Sequence, residues 1–394
     1  MIAPARAAAF AVVRRVFEED AYADRVLASA TEGLDARDRA LAQRIAYGTV
    51  QRARTIDHAI GAIASRAVAD IDPPVLAALR VAAYELVWSE APAYAVVDDT
   101  VELVRQAGRR QATGFANAVA RRLADRMPAL VAGLPPGPLA ASYPDWIYEL
   151  WVRDWGVEEA LALMAAQNEP AELVVRSAVP VGTPTDVPGA YRLEAGAFEA
   201  DAGRVWQSRG SQLAALALGS RDGERILDAC AAPGAKATML HGEVTAVELH
   251  PGRARELAEN AERLGATNVH VVNADVRELA ASRFDRALVD APCSGLGVLA
   301  RRPDLRWRAK PLPELQLELL QAAARRTRPG GVVLYSVCTI NADENEAIVD
   351  ASGLEPDPLG GEWPQFAHPK RPEFLLTTPH RHGTSGFFIA RLRV

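Results

Sequence analysis

The sequence predicts an α/β protein in which a doubly wound, Rossmann-like sheet follows an all-α helical bundle. Up to about residue 128, apolar side chains recur at spacings of three and four, which is typical of packed helices. From about residue 204, short apolar runs alternate with helical segments. Three of these runs, within 226–236, 288–295 and 332–339, end in polar residues and cysteines. Such runs indicate buried parallel strands that carry functional groups to one edge of a sheet.

The amino-terminal bundle is marked by helix starts as well as by periodicity. Asp35 precedes a helical run at 37–50, and Asp72 precedes two prolines that suit the first positions of a helix. The repeated apolar positions are Phe10, Val13, Phe17, Leu41, Ile45, Leu76, Leu79, Ala83, Leu86, Val97, Val101 and Val104. Short connections between these helices favour a bundle.

A proline- and glycine-rich stretch at 128–138 predicts the main domain boundary. We therefore expect a helical domain at 1–128, a linker with a small subdomain at 129–203, and a sheet domain at 204–394. Within the middle part, tryptophans at helical spacing predict a helical pair whose aromatic residues pack in a core. A short strand at 173–176 and an irregular stretch at 180–203 follow.

The sheet domain is predicted from alternating strands and helices. A last strand or hairpin is expected at one edge of the sheet, and ligands are expected at the carboxyl ends of the strands. The predicted strands are 225–229, 244–248, 268–273, 286–290, 331–337 and 387–392, and the predicted helices are 251–264 and 313–327.

Composition restricts the class of protein. The 394 residues are 49% hydrophobic and 24% charged, which is ordinary for a globular chain, and arginines interrupt the apolar amino terminus. We expect a cytoplasmic, monomeric protein with no membrane partner. Its three cysteines fit neither a disulfide framework nor a zinc pattern, so we expect free thiols and no metal. The net charge of −6 argues against indiscriminate nucleic-acid binding, and any RNA contact requires local basic patches.

The strand ends predict a pocket for an adenosine that carries an amino acid. Pro233 and Gly234 allow close backbone approach after the first strand, and Glu248 is placed to accept both ribose hydroxyls. Asp275 can accept from an adenine amino group. The alternative for each acid is a helix cap or an arginine partner. The three-glycine dinucleotide fingerprint is absent, which argues against a nicotinamide enzyme.

Two basic stretches are candidates for RNA contact. Arg121 and Arg122 belong to an arginine cluster in a helical region, for which a solvated helix face is the competing interpretation. A second stretch contains Arg301, Arg302, Arg306 and Trp307, just after Cys293 in sequence. It favours RNA phosphate binding over a solvated loop, with Trp307 either stacking on a base or packing.

Several phrases resemble a known family. Gly114-Phe115-Ala116-Asn117-Ala118-Val119-Ala120-Arg121-Arg122-Leu123 is similar to a NusB-type RNA-binding bundle. The phrases Asp228-Ala229-Cys230-Ala231-Ala232-Pro233-Gly234-Ala235-Lys236, Asp290-Ala291-Pro292-Cys293-Ser294-Gly295 and Tyr335-Ser336-Val337-Cys338-Thr339 resemble motifs I, IV and VI of the RsmB/Sun (Fmu) family. These are S-adenosylmethionine-dependent RNA cytosine-5 methyltransferases with a NusB-like amino-terminal domain. The match covers nearly the whole chain.

The resemblance implies roles for individual residues. It makes Cys338 the nucleophile and Cys293 the cysteine that assists product release, although the residues alone do not choose between these two thiols. No general base is visible in the sequence, and the helix after motif I must be short. The implied S-adenosylmethionine site comprises Cys230, Ala231, Ala232, Pro233, Gly234, Ala235, Lys236, Glu248, Asp275 and Asp290.

A cysteine suits the implied reaction because carbon 5 of cytosine becomes nucleophilic only after a thiolate adds to carbon 6. The resemblance therefore implies methylation of cytosine carbon 5 in RNA, with 16S ribosomal RNA as the expected substrate. The alternatives are the same chemistry on transfer RNA, or an RNA-binding ribosome-assembly factor with weak catalysis.

Overall fold

The computed structural model describes residues 2–194, 204–280 and 283–394, and the chain divides into two compact units. The first unit comprises Met1–Asn168 and Leu299–Arg308, and the second comprises Glu169–Val298 and Ala309–Val394. The segment Leu299–Arg308 therefore belongs to the first unit, although it lies far along the chain.

The first unit is helical and contains an apolar core that runs through its long helices. Buried residues such as Val13, Ile45, Ile60 and Leu79 recur at the predicted helical spacing. The helices are α1 (Pro4–Glu18), α2 (Ala23–Ala30), α3 (Ala36–Gln51), α4 (Ala53–Ala64), α5 (Pro73–Trp88), α6 (Ala93–Gln106), α7 (Thr113–Ala132), α8 (Pro138–Ala141), α9 (Asp145–Trp155) and α10 (Val157–Ala166).

Helix α7 differs from the expected linker, because it continues through Pro128 to Ala132. Met127 is fully buried, and Leu130 and Val131 pack against the same core. Apolar packing thus extends the helix past a proline that sequence analysis placed in a linker. The predicted helical pair is present as α9 and α10, and Trp151 is fully buried there.

The second unit contains an eight-stranded sheet and a small four-stranded antiparallel sheet. The small sheet has the order β2 (Thr183–Pro184), β3 (Ala190–Arg192), β1 (Val174–Arg176), β4 (Val205–Trp206). The strands of the large sheet are β5 (Arg225–Asp228), β6 (Glu243–Glu248), β7 (Val269–Asn273), β8 (Phe284–Asp290), β9 (Thr327–Val337), β10 (Glu355–Pro356), β11 (Leu375–Thr377) and β12 (Phe387–Arg393).

The large sheet has the order β10-β12-β9-β8-β5-β6-β7, with β11 also paired to β12. Strands β5 to β9 pair in parallel, and β12 pairs antiparallel with β9. This arrangement confirms the predicted fold class, including the added antiparallel strand at one side. The other α-helices of the described residues are α11 (Arg209–Ala217), α12 (Pro251–Arg263), α13 (Leu305–Arg308), α14 (Pro313–Arg326), α15 (Glu346–Ser352) and α16 (Pro379–His382).

Register places the functional strand ends side by side. Asp228 lies opposite Leu288 on β8, and Asp290 lies opposite Ser336 on β9. Because these strands are parallel neighbours, the residues that follow Asp228, Asp290 and Val337 emerge at one edge of the sheet.

Candidate active site at the sheet edge

Two cysteines from adjacent strand ends meet at this edge. The Sγ atoms of Cys293, after β8, and Cys338, after β9, lie 3.4 Å apart, and both residues are partly exposed free thiols. The hydrogen bond between them raises the pKa of Cys293 and lowers the pKa of Cys338, while burial raises both. The thiolate of the pair is therefore favoured on Cys338, with Cys293 as the donor.

A lysine and a carboxylate lie beside this pair. The Nζ atom of Lys236 is 2.6 Å from Oδ2 of Asp290, and the hydroxyl of Ser336 donates to Oδ1 at 2.8 Å. The same ammonium lies 5.2 Å from the ring centre of Phe387. The hydrogen bond from Cys293 is the largest influence on the pKa of Cys338 and lowers it, whereas burial and the charge of Asp290 raise it. The positive charge of Lys236, a smaller influence, also lowers this pKa.

The strand end of β5 holds a buried carboxylate, Asp228. Asp228 is 1% exposed, and neither of its carboxylate oxygens accepts a hydrogen bond from the described residues. Burial, followed by the charge of Asp290, raises the pKa of Asp228 to about 7. An unpartnered carboxylate at the edge of a parallel sheet is suited to a polar ligand with donor groups.

The loop from Cys230 to Lys236 is held by side chains that bind its carbonyl oxygens. Arg253 donates to Ala232, Asn260 to Pro233 and Arg176 to Ala235, at 2.7 to 3.0 Å. Gly234 has a φ of +103°, and a side chain there would overlap Leu257. The segment after the loop forms a single 3-10 turn, Ala237–Met239, which agrees with the short helix predicted from the sequence.

The other predicted cofactor residues differ in their surroundings. Glu248 is buried and accepts a hydrogen bond from the amide of His250 at 2.9 Å. Asp275 is bound through both oxygens by Arg277, and these hydrogen bonds lower the pKa of Asp275. Burial raises the pKa of Cys230, which fits a structural thiol better than a reactive one.

One residue that sequence analysis did not identify is Glu344, in the loop after Cys338. Its carboxylate is fully buried and accepts hydrogen bonds from the segment that carries Cys293. The polar run Asn341-Ala342-Asp343-Glu344-Asn345-Glu346, directly after a strand end with a cysteine, was the available sequence signal.

The predicted RNA-contacting residues all lie in the first unit. Arg121 and Arg122 are exposed on α7. Arg302 contacts Asp24 and Asp304 and lies over the ring of Tyr22, and Arg301 is partly exposed.

The expected role of Arg306 requires a correction, whereas Trp307 packs as one of its two expected roles. The guanidinium of Arg306 is fully buried, donates to the carbonyl oxygens of Gln51 and Gln167 at 3.1 and 3.0 Å, and lies 3.9 Å from the ring centre of Tyr143. The indole of Trp307 donates to the carbonyl of Val50 at 2.8 Å. The guanidinium of Arg306 is thereby committed to the interior of the first unit, and we do not retain it as an RNA contact. Trp307 is half-buried and packs against the helical core, which is one of the two roles expected for it from the sequence.

Comparison with known proteins agrees with this architecture. The family described as 16S rRNA methyltransferase RsmB/F matches residues 215–393, and the NusB family matches residues 3–125. A ribosomal RNA small subunit methyltransferase B from Thermus thermophilus is 36% identical, over 91% of this chain and 89% of its own. A putative methyltransferase from Mycobacterium tuberculosis is also 36% identical, over 99% and 96% of the two chains.

Solved structures show the same fold. The crystal structure of PH0851 covers 100% of this chain and 99% of its own, with a TM-score of 0.84 and 22% identity. NSun6 from Pyrococcus horikoshii, solved with SFG, covers 64% of this chain and 98% of its own, with a TM-score of 0.54 and 22% identity.

The fold and its sheet edge define a Rossmann-like methyltransferase preceded by a helical NusB-like region. The chain belongs to the RsmB/F family of 16S rRNA methyltransferases, which confirms the resemblance stated from its motifs. S-adenosylmethionine is the methyl donor of this family. The buried carboxylates of Asp228 and Glu248 fit a cofactor that offers ammonium and hydroxyl donors.

Among the described residues, no helix is both long and apolar enough to span a bilayer. The same residues contain no group of three or more His, Cys, Asp or Glu side chains arranged to hold a metal ion.

Proposed function

We propose that this protein methylates carbon 5 of a cytosine in 16S ribosomal RNA, with Cys338 as the covalent nucleophile. The observation that supports this proposal is the pair of thiols 3.4 Å apart at the ends of neighbouring strands. A reaction with one attacking and one assisting thiol accounts for two cysteines at one edge, whereas a single structural cysteine would be a small buried hydrophobe.

The thiolate of Cys338 adds to carbon 6 of the cytosine, and the electron pair of the ring double bond moves to carbon 5 as an enamine. When bound, S-adenosylmethionine supplies the electrophilic methyl group that carbon 5 attacks. Transfer of the carbon 5 proton to a water molecule then restores the double bond between carbons 5 and 6 and expels the thiolate of Cys338. We assign to Cys293 a role in this last stage, since it is the protonated neighbour of the sulfur that leaves.

Lys236 and Asp290 set the charge around the nucleophile. The ammonium of Lys236 favours the anionic form of Cys338, and Asp290 holds that ammonium in place. We infer that the cofactor is held by the loop from Cys230 to Lys236 and by strand-end acids. Of these, Glu248 would accept from the ribose hydroxyls and Asp290 lines the site. Asp275, whose two oxygens are bound by Arg277, would accept from the adenine amino group.

Trapping of a covalent RNA adduct tests the mechanism. We expect Cys293→Ser to accumulate a protein–RNA adduct that survives denaturing electrophoresis, because release is impaired after attack by Cys338. Cys338→Ala should give neither adduct nor methylation. An adduct formed by Cys338→Ala would reverse the two roles.

Bisulfite sequencing of RNA from a deletion strain tests the substrate. We expect one cytosine of 16S ribosomal RNA to lose its 5-methyl group. Loss from a transfer RNA instead would move the same chemistry to another substrate. Absence of S-adenosylmethionine binding in calorimetry would favour an RNA-binding assembly factor.

A further inference from the structure

Glu344 is a fully buried carboxylate that is surrounded by uncharged donors. Its Oε1 atom accepts from the amides of Ser294 and Leu312, at 3.0 and 3.1 Å, and from Nε2 of Gln316 at 2.8 Å. Its Oε2 atom accepts from the hydroxyl of Ser294 and from Nδ2 of Asn341. Five hydrogen bonds stabilise the buried negative charge and fix its position.

These bonds join both sides of Cys293 to the loop that carries Cys338. Ser294, which follows Cys293, binds Glu344 through its amide and its hydroxyl. Pro292, which precedes Cys293, accepts from the same Gln316 amide group that donates to Glu344, at 2.9 Å. A third link is the hydroxyl of Ser294 to that of Thr339 at 3.0 Å. Glu344 therefore links the segment that carries Cys293 to the loop that carries Cys338.

The charge of Glu344 also acts on the thiols. The hydrogen bond to Cys338 and burial are the largest causes that raise the pKa of Cys293, and the negative charge of Glu344 raises it further. The other charged or titratable groups that face the pair are Asp290, Lys236 and Tyr335. Asp290 and Lys236 act on Cys338. Glu344 instead binds Ser294, the residue after Cys293, so its charge is placed to act on Cys293 more than on Cys338.

We propose that Glu344 is a positioning residue that assigns the two cysteines their different roles, by holding Cys293 as a thiol that donates to Cys338. This inference rests on the proposed roles of the two cysteines in methyl transfer. It requires no contact between Glu344 and substrate, since the carboxylate is fully buried.

The test compares Glu344→Gln with the matched control Glu346→Gln in the full chain. Glu346 lies two residues further on and binds His368 at 2.6 Å rather than the cysteine loops. Alkylation of Cys293 and Cys338 by iodoacetamide is followed against pH by mass spectrometry, without RNA or cofactor. In the native protein and in Glu346→Gln, Cys338 should react at lower pH than Cys293.

Glu344→Gln should bring the two profiles together, with the ratio of the two rates at pH 7 falling by about tenfold, equivalent to one pKa unit. Its kcat for methylation should fall while its KM for S-adenosylmethionine stays unchanged. Ser294→Ala removes one donor to Glu344 and should reduce the difference between the two alkylation profiles by a smaller amount. It replaces Glu344→Gln as the test variant if that protein fails to fold.

Unchanged alkylation profiles in Glu344→Gln, or in Ser294→Ala where that variant stands in, would overturn the proposal and leave Glu344 as a packing residue. Failure of the methylation mechanism is separately visible. If Cys293→Ser forms no RNA adduct and the native protein does not methylate RNA, while Glu344→Gln still brings the two alkylation profiles together, the reaction is refuted and the positioning role is retained.

Discussion

Lys236 reaches across the sheet edge from the loop after β5 to Asp290 at the end of β8, with 2.6 Å between Nζ and Oδ2. Ser336 on β9 donates to the other oxygen of the same carboxylate. Three adjacent strands are thus connected at the point where Cys338 emerges. The arrangement fixes a positive charge close to the nucleophile.

Replacement of Lys236 by Met should shift the pH dependence of methylation. Without the ammonium, the pKa of Cys338 rises, so less thiolate is present at neutral pH. We expect the acidic limb of the kcat profile to move up by about one pH unit and the rate at pH 7 to fall about tenfold. The measurement is methyl incorporation between pH 6 and pH 9. Lys236→Arg should recover part of the rate, and the exposed Lys370→Met serves as control. An unshifted profile would contradict the assigned role.

Asp228 predicts a pH-dependent difference in stability. Its pKa is about 7 in the folded protein and near 3.8 when unfolded, so between these values the folded state binds more protons. The contribution of Asp228 to the free energy of unfolding therefore falls as pH rises from about 4 to about 7, and no further loss occurs above pH 7. Asp228→Asn cannot ionise and should be more stable than the native protein at pH 8, by at most about 4 kcal/mol.

Urea unfolding at pH 8 and pH 5 measures this difference in the free energy of unfolding for Asp228→Asn. The advantage of the variant should shrink to about 1.6 kcal/mol at pH 5, because this pH lies only about 1.2 units above the unfolded pKa of Asp228, and most of the destabilisation develops between pH 5 and pH 7. An equal difference at both pH values would show that Asp228 is already ionised in the folded protein.

The strand edge could be predicted from sequence because each strand there is an apolar run that ends at an aspartate or a cysteine. Parallel pairing then brings Asp228, Asp290 and Cys338 together without further information. Long-range partners were not predictable in this way. Arg306 reads as a surface residue in a basic stretch, and only the fold reveals the carbonyl oxygens of Gln51 and Gln167 around it.

The same limit explains Glu344. A glutamate in a polar run usually faces solvent, and no periodicity marks its burial. Its donors come from segments up to fifty residues earlier in the chain, so only the folded structure brings them together.

Arg306→Ala should destabilise the first unit strongly. The substitution removes a fully buried guanidinium, takes one donor from each of the carbonyl oxygens of Gln51 and Gln167, and opens a cavity beside Tyr143. We expect a loss of about 3–5 kcal/mol in the free energy of unfolding. Thermal and urea unfolding of the full chain measure it. Arg308→Ala, which loses bonds to Asp20 near the surface, should cost much less. Equal losses in both variants would contradict the role of burial.

Arg121 and Arg122 provide a test of RNA binding that is independent of catalysis. Both lie exposed on α7, in the region that matches the NusB family. Replacing both with Ala should weaken RNA binding and lower the slope of log affinity against log salt by about 1.4, if each arginine neutralises one phosphate of a single strand. Fluorescence anisotropy with labelled RNA across a salt series measures this slope. The matched control replaces Arg14 and Arg15, which form ion pairs with Glu18 and Glu19 on α1. An unchanged slope in the Arg121 and Arg122 variant would assign these two arginines to a solvated helix face, whereas equal changes in both variants would indicate a general effect of net charge.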